Sequence, residues 1–367
     1  MSQAGADPLE GAVRLEDLEA LARERMPLPA FDYYAGGSGD EWTLAENRRA
    51  FDRWILRPRY LVDVSNIDLG TTVLGQSMPL PILLAPASFH RLAHPEGEMA
   101  TARGAAAAGA TMCISTAATT ALEDIATTGV PRWFQLYVRG ERWISEELVR
   151  RAHATGCTAI VLTIDLPYLG NRERDVRNRL DEWFPKDLQM ENVVRVAAGD
   201  HPGSELLEEE TWFDYSLTWD DVAWIRDLSP LPLLVKGVMT AEDAVLAVEA
   251  GAAGVVVSNH GGRQLDGVAA SVDALPEVVD AVAGRAEVLM DGGVRRGTDI
   301  VKALALGARA VMIGRPYLWG LAVAGDRGVQ WVLEKLRAEL QLAMALTGAT
   351  SVEAITRSMI APAPGAR

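Results

Sequence analysis

Residues Ser258-Asn259-His260-Gly261-Gly262-Arg263-Gln264-Leu265-Asp266 set an imidazole and a guanidinium three positions apart around a glycine pair. They directly follow the apolar run Gly254-Val255-Val256-Val257. A buried-strand pattern that ends in two glycines can turn sharply and leave both side chains at its tip. An imidazole exchanges a proton near neutral pH, and a guanidinium grips a carboxylate through two parallel hydrogen bonds. The pair describes a base that works on a substrate held by its acid group. The plainer alternative is a satisfied strand-end histidine beside a surface cation. The number of other strands that end in polar groups weighs against it.

Those strands are read from short apolar runs rich in Val, Ile and Leu. They are Ile82–Pro86, Thr111–Ser115, Trp133–Tyr137, Ala159–Asp165, Leu233–Gly237, Gly254–Ser258, Val288–Gly293 and Ala310–Arg315. Helix-like, alanine-rich stretches separate them, one opened by Thr240-Ala241-Glu242-Asp243 and closed by Gly251, another running from Thr298 to Leu306 before Gly307. Continuous apolar strands alternating with amphipathic helices imply a parallel sheet covered on both faces. Eight such units predict an α/β fold of the (β/α)8 TIM-barrel type. The whole chain reads as a single barrel domain. Residues 1–75 form an N-terminal extension that includes a helix over Leu15–Arg25. Residues 180–216 form a long insertion after the fourth strand, which reads as a lid with partial disorder.

Active sites of such barrels form at the C-terminal strand ends. Those ends carry Ser88, Ser115, Gln135 with Tyr137, Thr163 with Asp165, Lys236, His260 with Arg263, Asp291 and Arg315. A polar group at every end indicates a polar cofactor across the barrel mouth. The last two strands end in Asp291-Gly292-Gly293-Val294-Arg295 and Gly314-Arg315. Glycine backbone plus two arginines, where barrels commonly hold a phosphate, points to an anion there. Asp165 reads either as a helix N-cap or as the carboxylate that orients His260. Arg172 reads as a surface cation or a second carboxylate clamp. Lys236 reads as a structural cation or one facing the cofactor, and Tyr33 and Tyr34 as packing or site aromatics. Ala35-Gly36-Gly37-Ser38-Gly39 follows a helix and not a strand, so it reads as a turn. His90, His94, His153 and His201 show no metal spacing, and Trp219, Trp224 and Trp331 read as packing.

The chain has 367 residues, 49% hydrophobic and 23% charged, which suits a globular protein with a large core. A net charge of -15 argues against nucleic acid as a partner. No apolar run matches a membrane span, and MSQAGADPLEG has neither the basic nor the apolar region of a signal peptide. Two isolated cysteines, Cys113 and Cys157, form no disulfide framework, and Pro-Gly-Ala-Arg is no peroxisomal address. A cytoplasmic location is therefore expected.

The residues resemble the FMN-dependent L-2-hydroxy acid oxidases and dehydrogenases, most closely the glycolate oxidase branch. The similarity runs almost end to end. It includes Asp32-Tyr33-Tyr34, Trp42–Arg48, His94-Pro95-Glu96-Gly97-Glu98, Phe134–Tyr137, Leu233–Val238, Ser258–Asp266 and Asp291–Thr298. The resemblance implies that His260 takes the substrate's proton with Asp165 behind it. It implies that Arg172 and Arg263 bind the carboxylate, and that Tyr33 and Tyr137 contact the carboxylate and hydroxyl. Pro86, Ala87, Ser88, Ser115, Gln135, Thr163, Lys236, Ser258, Asp291, Gly293, Arg295, Gly314 and Arg315 would hold FMN, with Lys236 beside the ring, favouring its anionic reduced form. Oxygen as acceptor with hydrogen peroxide as product, and a homotetramer, follow from the same resemblance. The alternatives are a dehydrogenase with another acceptor and a different FMN barrel enzyme such as an isomerase. Two positions depart from the family. Ala117 stands where glycolate oxidases carry a tryptophan over the substrate, and Phe89 replaces a smaller or more flexible residue. The first enlarges the pocket and implies a 2-hydroxy acid larger than glycolate, with lactate, longer aliphatic acids or mandelate as candidates. The second refills part of that space.

Overall fold

The computed structural model describes residues 7–197 and 214–365. Eight parallel strands close into a barrel. We number them β1 (Ile82–Leu84), β2 (Thr111–Ser115), β3 (Arg132–Leu136), β4 (Ile160–Thr163), β5 (Leu233–Val238), β6 (Gly254–Val257), β7 (Glu287–Met290) and β8 (Ala310–Ile313). The ladder runs in chain order and closes where β8 pairs with β1, with Met312 opposite Leu83. These are the eight runs legible in the sequence. Side chains pointing into the barrel, among them Leu83, Cys113, Trp133, Val161, Leu234, Val256, Leu289 and Met312, form their own buried cluster, so the barrel is packed and not a pore.

The opposite strand faces meet the surrounding helices in a second, larger core. Helix Leu15–Arg25 has the bounds the sequence predicts and buries Leu15, Leu18 and Ala22, in contact with the long helix Arg315–Thr347. Thr240 caps helix Ala241–Glu249 by accepting from the Asp243 amide at 3.3 Å. The helix read as Thr298–Leu306 instead spans Gly297–Ala305. It starts one residue early because Asp299 reaches back to the amides of Arg295 and Arg296, at 2.9 and 3.0 Å. Gly297 opens it because a Cβ there would lie 2.1 Å from the backbone of Glu339.

Two small sheets had no clear sequence signal. The hairpin Thr71–Val73 with Gln76–Met78 turns through Leu74 and Gly75, both at positive φ. Its Val73 and Met78 join the barrel-interior cluster. Its turn bonds to Glu287, at the start of β7, so it plugs the N-terminal mouth. Strand Trp54–Leu56 pairs with Ile360–Pro362 and ties the two ends of the chain together.

Within the insertion, the described residues form helices Leu180–Trp183 and Glu191–Ala197. The partial disorder expected of this segment, with its acidic run Glu205 to Glu210, Trp212, Phe213 and His201, falls on residues outside those described. Trp219, Trp224 and Trp331 pack against the core as read. His90 is buried between Thr101 and Tyr317, and His153 is exposed. Among the described residues no helix is long and apolar enough to cross a membrane, and no cluster of three or more metal-ligating side chains occurs.

Candidate active site

One cavity of about 1220 Å³ opens at the C-terminal ends of the barrel strands. It exceeds the usual volume for a single small ligand. Its walls include Tyr33, Ala117, Tyr137, Arg172, His260 and Arg263, together with Gly293, Arg295, Gly314 and Arg315. Pro86, Ala87, Ser88, Lys236 and Asp291 also line it. Ser115, Gln135, Thr163, Asp165 and Ser258 are not on the wall. They sit at the strand ends immediately behind it.

His260 follows β6 in the left-handed region, at φ 57, followed by Gly261 at 64 and Gly262 at 73. A non-glycine residue there carries backbone strain of roughly 1–3 kcal/mol. Its neighbours hold it in place. The His260 amide donates to Ser258 Oγ at 3.1 Å, and the Gly262 amide donates to Asn259 Oδ1 at 3.1 Å. Asn259 in turn exchanges amide hydrogen bonds of 2.8 Å with Asn47 from the N-terminal extension. The strained turn aims the imidazole at Asp165, whose Oδ1 lies 2.8 Å from Nδ1. Asp165 is therefore not a helix N-cap.

Burial raises the Asp165 carboxyl, but its contacts with His260, the hydrogen bond included, and the charge of Lys236 outweigh it and hold the group below the usual carboxylate range. The ionised carboxylate can only accept, so Nδ1 donates and the Nε2 lone pair is left for a substrate proton. Burial pushes the His260 pKa down, Asp165 opposes it, and Lys236 and Arg172 add to it. The balance favours the neutral imidazole, the form a base needs.

Lys236, at 4% exposure, donates to Ser258 Oγ at 2.9 Å and lies 3.3 Å from Asp291 Oδ2. Burial alone would neutralise it, yet Asp291 and Asp165 more than compensate and keep it charged. Burial also pushes the Tyr137 phenol up, so it stays protonated and able to donate.

The arginines are set by backbone carbonyls. Arg263 donates to Tyr33 O and, at 3.0 Å, to Gly36 O, and its guanidinium lies 5.1 Å from the Tyr33 ring centre. Arg315 donates to Tyr34 O, Gly261 O and Gly36 O at 2.8–2.9 Å. Among the described residues, the Arg295 side chain donates only to Val294 O, at 3.0 Å. Among the described residues none of the three forms an ion pair. Burial first, and the neighbouring arginines second, push Arg263 and Arg295 down to about 10 and Arg315 to about 9. All three remain charged at pH 7; carboxylates such as Asp175 near Arg263, Glu16 and Asp299 near Arg295, and Glu41 near Arg315 oppose burial only in part and pair with none of them, which leaves a positive field suited to an anion.

FMN fits this arrangement. Its phosphate suits the Arg295 and Arg315 end. Gly293, at φ 81, lines the cavity and packs so tightly that a Cβ would lie 1.9 Å from Asn47 O. Gln135 Nε2 and Thr163 Oγ1 behind the wall, and Asp291 Oδ1 on it, are buried with no hydrogen-bond partner. Unsatisfied buried donors and acceptors are costly, and a ring bearing carbonyl and N–H groups would complete them.

The cavity wall near Ala117 is apolar on one side. Phe89 sits at φ 56, its ring 4.9 Å from Phe184 of the insertion and 6.3 Å from Tyr33. Ala117 adds only a methyl to this wall.

Two contributors had no sequence signal as site residues. The Ala35–Gly39 segment is a turn, as read, but one of its carbonyls, Gly36 O, orients two site arginines. Gln264 touches both the Asp165 loop and Arg172.

A packed parallel barrel with a carboxylate-backed histidine, a lysine and an arginine-lined anion end at its C-terminal mouth defines a flavin-dependent oxidoreductase site. Residues 22–362 match the FMN-dependent dehydrogenase family, and the chain belongs to that family. It is 50% identical to an L-lactate oxidase of Nostoc sp. over 364 residues, covering 96% of this chain and 99% of that protein. It is 51% identical to a glycolate oxidase of Spinacia oleracea over 352 residues, covering 95% of each. A crystal structure of mandelate oxidase with (S)-2-phenylpropionate superposes with a TM-score of 0.86 at 44% identity, covering 94% of this chain and 97% of that one.

Proposed function

We propose that this chain is an FMN-dependent (S)-2-hydroxy-acid oxidase that converts an L-2-hydroxy acid to the 2-keto acid. The observation that carries the reading is the 2.8 Å His260–Asp165 pair facing a cavity flanked by Arg172 and Arg263. The two guanidiniums hold the substrate carboxylate, and Tyr33 and Tyr137 orient carboxylate and hydroxyl. His260 Nε2 accepts a proton from the substrate, and Asp165 stabilises the resulting imidazolium. Lys236 supplies a fixed positive charge beside the cofactor, where negative charge develops. Ser115, Gln135, Thr163, Ser258 and Asp291 hold the ring, and Gly293, Arg295, Gly314 and Arg315 hold the phosphate. Bound FMN would supply the two-electron acceptor for the oxidation, with molecular oxygen as the final acceptor and hydrogen peroxide as its product.

The small Ala117 side chain and the apolar Phe89–Phe184 wall favour substrates larger than glycolate. The L-lactate, glycolate and mandelate oxidases similar to this chain bracket the range. The reading includes a single catalytic unit spanning residues 1–367 and a cytoplasmic homotetramer, which light scattering checks for assembly.

The test is anaerobic flavin bleaching of the purified yellow protein by lactate, 2-hydroxyhexanoate, (S)-mandelate and glycolate, followed by air. Bleaching by the larger acids, with colour and peroxide returning on aeration, supports the reading. No bleaching by any of them overturns it, and bleaching without peroxide on aeration replaces oxygen with another acceptor.

A further inference from the structure

Gln264 is buried, and every hydrogen-bonding position of its side-chain amide is used. Nε2 donates to Asp165 O at 2.9 Å and to Tyr168 O at 2.8 Å. Oε1 accepts from the Gly170 amide at 3.1 Å and from Arg172 Nη2 at 3.3 Å. The backbone of the same segment adds to this. Arg172 Nε lies 3.4 Å from Arg263 O, and a Cβ on Gly170 would meet Arg263 O at 2.4 Å and the Gln264 backbone at 2.8 Å. One amide therefore spans the loop that follows β4, carrying Asp165 and Arg172, and the loop that follows β6, carrying His260 and Arg263.

We infer that Gln264 is a positioning residue that fixes the Arg172 carboxylate clamp and the Asp165 backing of His260 in one register. The inference rests on the oxidase reading of the site. A glutamine suits this place for a reason of charge. Its carbonyl oxygen orients the Arg172 guanidinium without neutralising it, so the full positive charge is left for the substrate. A glutamate of the same size would cancel that charge. It would also face two carbonyl oxygens, Asp165 O and Tyr168 O, with no proton to donate.

The charge has a second consequence at His260. The ionisable groups around the imidazole are Asp165 after β4, Lys236 on β5, Asp291 after β7, Tyr137 after β3, and Arg172 and Arg263. Arg172 is among those that push the imidazole toward its neutral form. An anion beside Arg172 opposes that push.

The experiment uses the FMN-loaded, full-length protein and the variants Gln264→Met and Gln264→Glu. Phenylacetate, which lacks the 2-hydroxyl and is not oxidised, is titrated against the flavin absorbance, and kcat and KM are measured across pH. Loss of fixed orientation should weaken phenylacetate and raise KM roughly tenfold or more in the Met variant, with a smaller fall in kcat. The Glu variant should weaken binding further and move the acid limb of kcat/KM to higher pH. A packing role alone would not produce that pH shift. Wild-type-like phenylacetate affinity and pH profile in a flavin-loaded variant overturn the inference. So does failure of both variants to fold, which makes Gln264 a folding determinant. If wild-type protein neither binds phenylacetate nor oxidises any 2-hydroxy acid, the oxidase reading fails. If it does both and the variants match it, only the role of Gln264 fails.

Discussion

Replacing Asp165 with asparagine isolates what the carboxylate contributes to His260. The substitution keeps the volume and removes the charge behind Nδ1, across a 2.8 Å contact whose partners expose only 17% and 12% of their side chains. A hydrogen bond to a charged group contributes about 1.5–3 kcal/mol net. At 1.36 kcal/mol per decade that corresponds to a fall in kcat of roughly 10- to 150-fold. The fall belongs to the step in which the imidazole gains a proton, because the asparagine no longer stabilises the imidazolium.

The sign of the pH effect follows from the same charges. Burial lowers the His260 pKa and Asp165 raises it, so losing the carboxylate lowers it further. His260 acts in its neutral form, so the acid limb of the kcat/KM profile moves to lower pH. Stopped-flow flavin reduction with (S)-mandelate across pH measures both effects. A rate within twofold of wild type, or an acid limb that moves upward, refutes the arrangement.

His260→Ala should retain FMN and lose roughly two to four decades in the rate of flavin reduction, the usual range for a positioned base, as read by anaerobic stopped flow. Ala117→Trp fills the apolar end and should cost bulky substrates about 1–3 kcal/mol by overpacking. The ratio of kcat/KM for glycolate to that for mandelate then rises, and an unchanged ratio removes Ala117 from the substrate wall. Gly293→Ala combines φ 81 with a Cβ 1.9 Å from Asn47 O, so flavin content and Tm should both fall. Retention of both shows that the loop can yield there.

Much of this was readable along the chain, for reasons that differ from element to element. The barrel strands announce themselves because both their faces are buried, which makes Val255-Val256-Val257 or Val161-Leu162 apolar without alternation. The site followed from asking what stands where each strand stops. The hairpin at residues 71–78 did not stand out, because its strands are three residues long and its turn begins with Leu74, a residue that seldom adopts positive φ. Gln264 was invisible as a site residue because its side-chain partners lie 92 to 99 positions away. The carbonyls of Tyr33, Tyr34 and Gly36 carry no side-chain signal at all, yet they orient Arg263 and Arg315.

That last contact spans nearly the whole chain. Arg315 bonds Tyr34 O across 281 positions, and Arg263 bonds Tyr33 O across 230. During synthesis the N-terminal segment leaves the ribosome long before either arginine exists. The anion end cannot be assembled until β8 has emerged and the first helices have docked onto the finished barrel. An anion that needs both arginines in place can therefore be held only after β8 has emerged. Trimming the extension to obtain a smaller catalyst would leave a barrel whose arginines have lost their supports.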